Sequence, residues 1–378
     1  MSVTKISLIK CDDYSKADNA VREAVRLLGC ISVFISPSEK ILIKPNLLSP
    51  KDPSKAITTH PEIVRVVIKL VKEAGAVPAV GDSPGGAIRN IKNLWETTQM
   101  ERICKEENVE LINFEASGSK EFDINDKNIK KVNFSNAALD CDGIINLPKL
   151  KTHALMSFSA GVKNLYGLVP GLMKVEYHKY AFKSKDFADL LTNIYLFFKD
   201  KIRFTLIDGV LSMEGNGPSA GEVRKTNLIA ASSDTAVLDA YLLNELNYDI
   251  SNSGILKNLK ITKDILKTVE VSGEKSESFN LKKFKFPSVR KLDLFPKFLI
   301  RILGKFLWVK ADINEKICVK CMLCARACPV EAIRAAGNQY PHIDAEKCIS
   351  CFCCHEMCPH KAVKFKKSML AKIFIKEN

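Results

Sequence analysis

No run in this 378-residue chain is apolar for long enough to cross a bilayer. The nearest, Lys297–Val309, is too short and carries Lys297, Arg301 and Lys305 at steps of four, one face of a helix. Met1–Lys10 lacks the apolar core of a signal peptide and has no twin Arg. Neither G-x-G-x-x-G nor a P-loop occurs, so no motif claims a nucleotide or flavin. Also missing is a concentrated stripe of Lys and Arg with interleaved aromatics, which sets nucleic acid aside as a partner. Acidic residues are the minority: 57 Lys and Arg face 43 Asp and Glu, a formal charge of +14. That field suits attraction of an acidic redox partner protein or a small anionic substrate.

Cysteine, by contrast, is plentiful, with 13 in the chain. Eight stand in two matched runs, Cys318-x-x-Cys321-x-x-Cys324-x-x-x-Cys328-Pro329 and Cys348-x-x-Cys351-x-x-Cys354-x-x-x-Cys358-Pro359. This is the ligand spacing of a bacterial-type ferredoxin with two [4Fe–4S] clusters, in which the fourth Cys of each run ligates the other cluster. Cys318, Cys321, Cys324 and Cys358 are therefore expected on one cluster, and Cys348, Cys351, Cys354 and Cys328 on the other. Zinc, the alternative, usually takes two C-x-x-C pairs across a longer loop and leaves the third Cys of each run unexplained. Each oxidised cluster with its thiolates carries a formal −2, which would bring the chain to about +10.

The repeat reaches beyond the ligands, since 313–333 aligns with 343–363 at a constant offset. A half of that size cannot bury a core alone, so the two should pack around their clusters and fold only with iron and sulfide. Cys353 is the odd thiol of the second run. It is expected beside the cluster rather than on it, with a ligand exchange with Cys354 as the alternative. Cys11, Cys30, Cys104 and Cys141 are scattered and read as small buried side chains. Free thiols and oxygen-sensitive clusters argue for a reducing cytoplasm.

Upstream, short apolar runs alternate with helical periodicity. Strands are expected at 5–9, 41–44, 77–80, 109–114, 143–146, 204–207 and 228–231. Helices are expected at 16–28, 61–74, 88–107, 186–198 and 234–246. That alternation predicts an α/β fold with a mostly parallel, doubly wound sheet, followed by a small α+β ferredoxin-like domain. The expected boundaries are 1–290 for the α/β domain, 291–311 for an amphipathic linker helix, 312–367 for the cluster domain and 368–378 for a basic tail. The linker helix could pack on the large domain or touch a membrane surface peripherally.

Open α/β sheets bind ligands beyond the carboxyl ends of their strands. Five polar phrases fall near such positions: Ile43-Lys-Pro-Asn-Leu47, Gly81-Asp-Ser-Pro-Gly85, Leu147-Pro-Lys-Leu-Lys-Thr-His153, Val162-Lys-Asn-Leu-Tyr-Gly167 and Met213-Glu-Gly-Asn-Gly-Pro218. Their identity and order, from about Ile41 to Asp239, resemble the family called domain of unknown function 362, whose members are commonly fused to a dicluster ferredoxin. The resemblance implies an iron–sulfur protein with an α/β domain and supplies no catalytic residues.

The residues themselves suggest a site. Lys44, Lys149, Lys151 and Lys163 could form a cationic pocket for a carboxylate or phosphate, oriented by Asn46 and Asn164. His153, with Lys149 and Lys151, is the candidate catalytic group, since imidazole changes charge near neutrality; a structural hydrogen bond is its alternative. Asp82, Asp208 and Glu214 are candidates for metal ligation, for pairing with the lysines, or for turns and caps. The other histidines read as structural or surface residues. The leading expectation is an oxidoreductase passing electrons between the clusters and an anion in the α/β domain. The alternatives are an electron carrier or adaptor without catalysis of its own, or an anion-binding protein with structural or sensing clusters.

Overall fold

The computed structural model describes residues 3–86, 88, 90–287 and 308–374. Twelve strands precede the cysteine-rich end: β1 (Lys5–Lys10), β2 (Lys40–Pro45), β3 (Val77–Gly81), β4 (Glu110–Ile112), β5 (Ser119–Asp123), β6 (Lys131–Ser135), β7 (Gly143–Leu147), β8 (Lys149–His153), β9 (Ser157–Ser159), β10 (Ile202–Glu214), β11 (Glu222–Ser232) and β12 (Glu270–Gly273). The main sheet runs β12-β1-β11-β10-β7-β2-β3-β4, with β8 and β9 attached to the far end of β10. From β10 to β4 every pairing is parallel, while β11 runs antiparallel to β1 and β10. The fold is a mostly parallel α/β sheet with helices on both faces.

The two faces follow from alternation along each strand. Ile41, Ile43, Ile145 and Leu147 join one core with the helices Ala17–Leu28 and Pro61–Glu73. Leu42 and Ile144 turn to the other, against Ser184–Phe198. His60 caps the Pro61 helix, its Nδ1 accepting the Glu62 N–H, and Pro61 opens it.

The structure departs from the sequence reading in places. One helix expected over 88–107 is two, Ile91–Thr97 and Met100–Glu106, broken where Gln99 takes a left-handed backbone at φ 62°. The strand expected at 109–114 shrinks to β4. The phrase 149–153, absent from the expected strands, is the fully buried strand β8. Most of the linker-helix expectation lies outside the described residues, and its last residues enter a strand instead, β13 (Val309–Ile313). No helix among the described residues is long and apolar enough to cross a membrane.

The cysteine-rich end adds β14 (Ile333–Arg334), β15 (His342–Ile343) and β16 (Val363–Lys367), paired as β13–β16 and β14–β15. Its repeat is visible in the backbone. Lys320, Met322 and Glu331 have left-handed φ of 58°, 59° and 50°, and Ser350, Phe352 and Lys361, each 30 positions later, have 55°, 62° and 54°. The halves also exchange edges reciprocally: Asn314 N–H donates to Ala362 O, and Asp344 N–H to Ala332 O.

Candidate functional site

All cysteines are free thiols. Burial pushes the Cys324 thiol up to about 11, helped by the facing thiols of Cys321, Cys358 and Cys318. Burial also raises Cys354 well above its usual range, together with Cys351, Cys348, Cys324 and Cys328. Apart from Cys324 beside Cys354, those neighbours are the two crossed quartets, and only a cationic cluster core would make such crowded, buried thiolates favourable. The residues therefore fit two [4Fe–4S] clusters. One backbone donor serves each crossing ligand: Ala332 N–H to Cys328 Sγ at 3.2 Å and Ala362 N–H to Cys358 Sγ at 3.1 Å.

The quartets differ in surroundings. Cys321 of the first is exposed, whereas Cys351 and Cys354 of the second are buried. The helix Cys353–Met357, which joins ligands of the second run, docks directly on the α/β domain. There Ser219 Oγ donates to Glu356 O at 2.6 Å, His355 Nε2 lies 3.2 Å from Asn216 O, and Lys51 Nζ donates to Pro359 O at 3.1 Å. Gly85 leaves room for this docking, because a Cβ there would sit 2.5 Å from Met357 Sδ.

Between that helix and the carboxyl ends of β2 and β3 lies a cavity of about 90 Å³. Asn46, Asp82, Lys151, Lys163 and Asn164 line it from the α/β domain, with Lys174, His178 and Tyr166; Cys353, Glu356 and Met357 close it. Buried contacts behind the wall fix several of these groups. β2 delivers Lys44, fully buried, whose Nζ donates to Asp82 Oδ1 at 2.7 Å, while Asp82 Oδ2 accepts the Leu47 N–H at 2.7 Å. Asp239 accepts the N–H groups of Gly161 and Val162 at 2.7 and 2.9 Å and so fixes the turn that carries Lys163 and Asn164. Asn164 Nδ2 donates to Asn146 Oδ1 at 2.8 Å.

Among the described residues, the lysines on the cavity wall form no ion pair with a carboxylate. Lys151 donates to Asn46 Oδ1 and to Ile57 O, and burial lowers it well below its usual value. Lys174 donates to Ser83 O and Oγ at 2.7 and 2.6 Å, and burial brings it down to about 7. Lys163 lies 5.7 Å over the Phe187 ring and is likewise lowered by burial. Asn164 Oδ1 and His178 Nδ1 are buried with no hydrogen-bond partner.

Not every expected site residue arrives here. Lys149 belongs to a separate buried node, its Nζ 2.8 Å from Asp208 Oδ2 and from the Tyr14 hydroxyl. His60 stacks on Tyr14 at 3.5 Å and donates its N–H to the same carboxylate. Lys149 is a partner of Asp208, not a wall of the cavity. Glu214 stands elsewhere again, 2.8 Å from Arg224 and accepting the Lys285 N–H at 3.0 Å. Asp82 and Asp208 thus each pair with a lysine and Glu214 with an arginine, and among the described residues no three His, Cys, Asp or Glu groups form a single-ion metal site.

His153 sits behind the cavity, its Nε2 3.0 Å from Glu356 Oε1 but poorly aligned for a hydrogen bond. Its Nδ1 accepts the Leu155 N–H at 3.1 Å. Burial pushes the ring down to about 4 although Glu356 opposes this, so titration near neutrality is not what its surroundings favour. Sequence reasoning missed Lys174, His178 and Glu356. Only Cys353 carried a signal, as the one thiol the cluster spacing left over.

Fold and cysteine quartets define an iron–sulfur electron-transfer protein with two [4Fe–4S] clusters joined to an α/β domain. The sequence profile described as 4Fe-4S dicluster domain matches residues 317–362. A second, Domain of unknown function (DUF362), matches residues 41–244, and the chain belongs to that family. The thylakoid-associated protein sll1697 of Synechocystis sp. (strain ATCC 27184 / PCC 6803 / Kazusa) is 32% identical over 250 residues, 65% of this chain and 76% of that protein. The lactate racemase apoprotein from Thermoanaerobacterium thermosaccharolyticum aligns with 63% of this chain at 12% identity and a TM-score of 0.41. The chain spans 56% of that structure, a likeness too loose to argue from.

Proposed function

We propose that the protein is an oxidoreductase that exchanges electrons with a small anion, a carboxylate or phosphate, held in the cavity between the α/β domain and the second quartet. One observation carries this reading. Lys151, Lys163 and Lys174 converge on a cavity whose carboxylates, among the described residues, are Asp82, already bound to Lys44, and Glu356. Burying ammonium groups without counter-charge is costly, and a bound anion offsets that cost. Asn164 Oδ1 and His178 Nδ1 offer unpartnered sites for its polar hydrogens or for a bridging water. The cluster loop forms the opposite wall, so the anion would lie beside the second cluster. Every electron it gains is one that a redox partner loses. A reducing compartment such as the cytoplasm suits the free thiols, and peripheral contact with a membrane is compatible with it, the Synechocystis relative being named thylakoid-associated.

The test is an anaerobic redox titration of the holoprotein with and without inorganic phosphate and a panel of small carboxylates. A bound anion should lower the potential of the second cluster, leave the first unchanged, and lose that effect in Lys151→Gln. If neither potential responds to any anion while the clusters still relay electrons, the α/β domain is a docking platform and the protein a carrier or adaptor.

A further inference from the structure

The internal repeat of the cluster domain supplies its own control for an interaction surface. Around the second cluster, Cys351 is buried in one apolar group with Met357, against which Ile349 and, from the α/β domain, Ile88 and Phe182 all pack. The positions 30 residues earlier, Cys321 and Val319, form the same loop in the other half with nothing described against it. Cys321 is exposed there, Val319 is 55% exposed, and Ile317 and Tyr340 beside it are 41% and 38% exposed. Among the described residues, the same backbone face is thus covered by a domain in one half and open in the other.

The open copy has its own chemistry. Lys320 lies 4.4 Å over the Tyr340 ring and donates to Asn338 O at 2.6 Å, tying the ligand loop to the 337–340 turn. In sequence, exposed Lys316 and Arg326 flank it, with the acidic Glu315 adjoining Lys316. Apolar side chains over a cluster, ringed by cations, on a chain of formal charge +14, suit an acidic protein surface.

We propose that this face, built on Ile317, Val319, Cys321 and Tyr340, docks a small acidic one-electron carrier protein and is where electrons enter or leave the first cluster. It does not depend on what the cavity holds. It makes the two halves functionally unequal: one faces the partner and the other the α/β domain.

The experiment is anaerobic stopped-flow reduction of the full-length holoprotein by a reduced, acidic plant-type [2Fe–2S] ferredoxin. Dithionite serves as a reductant that needs no docking. The ferredoxin rate should fall steeply with salt. Val319→Glu, and separately Lys316→Glu with Lys320→Glu, should lower it about tenfold or more while dithionite reduction stays unchanged. Val33→Glu, at an exposed position on the α/β domain, should leave it unchanged. Should Val319→Glu lose its visible cluster absorbance, the charge-reversed pair alone carries the test. Wild-type ferredoxin rates in variants with intact clusters would overturn the proposal. So would a wild-type dimer that Val319→Glu makes monomeric, since the face would then belong to a second copy of the chain.

Discussion

Two kinds of buried lysine stand in the α/β domain of this protein, and the difference between them separates architecture from chemistry. Lys44 and Lys149 each meet a carboxylate, Asp82 at 2.7 Å and Asp208 at 2.8 Å, with all four side chains almost wholly buried. Lys151 and Lys174 are as deeply placed but spend their protons on carbonyl, amide and hydroxyl oxygens. A closed ion pair gains little over an apolar pair of the same shape, yet breaking it leaves a bare buried charge. Lysine without a carboxylate is the opposite case: poorly compensated in the free protein and improved by an anion. The first kind ties strand ends together, and the second is available to a ligand.

The sharpest way to break this contrast is Lys44→Met, which strands Asp82 in the interior. It should cost about 3–5 kcal/mol in denaturant unfolding of the α/β domain. Lys44→Met with Asp82→Leu should recover most of that loss. If the single variant unfolds like wild type, the pair is not structural. Gly167 gives a second test, because a Cβ there would lie 2.0 Å from Asp82 Oδ1 and 2.7 Å from Lys44 Nζ. Gly167→Ala must displace the pair and should cost about 1–3 kcal/mol, read as a lower denaturant midpoint. The glycine is required by its neighbours, not by its own backbone angles.

Lys174→Gln belongs to the other class. Glutamine can still donate to Ser83, so stability at pH 7 should stay within about 0.5 kcal/mol of wild type. Anion affinity, read by phosphate-dependent shift of the second cluster's potential, should fall about tenfold. Equal loss of stability in Lys174→Gln and Lys44→Met would erase the distinction.

Why the sequence could not separate these lysines is a matter of register. Lys149 and Lys151 are two apart on β8 and point to the same side of that strand. The neighbouring β10 slips between its two contacts, so that Lys149 lies opposite Asp208 and Lys151 opposite Met213. One lysine finds a carboxylate and the other does not, and the irregularity responsible is 60 residues away. Glu356 and Cys353 were hidden for a similar reason: they reach the cavity only because the cluster domain docks on the α/β domain. The cysteine quartets were legible because the metal's geometry is written in local spacing. The parallel sheet was legible because alternation and helix starts are local too, as at His60-Pro61-Glu62. β8 was not, since buried lysines break the apolar pattern by which strands are recognised.

The last contrast is in pH dependence. Burial lowers Lys174 from its ordinary 10.5 to about 7. Between those values the unfolded chain holds a proton that the folded protein lacks, so stability should rise with pH across that window, by up to about 1.4 kcal/mol per unit. The contribution is fully present above 10.5 and lost as pH falls through 7. Anion binding should run the other way, because a bound anion keeps the ammonium charged: affinity should weaken by up to about tenfold per unit as pH climbs above 7. In Lys174→Gln the slopes of both stability and affinity should each decrease by one proton's worth. Lys44→Met, tested alongside, should retain the affinity slope while losing stability. An affinity that is flat from pH 7 to 9 in the wild-type holoprotein would mean that Lys174 keeps its proton without help from a ligand, and the two kinds of lysine would then differ only in their partners.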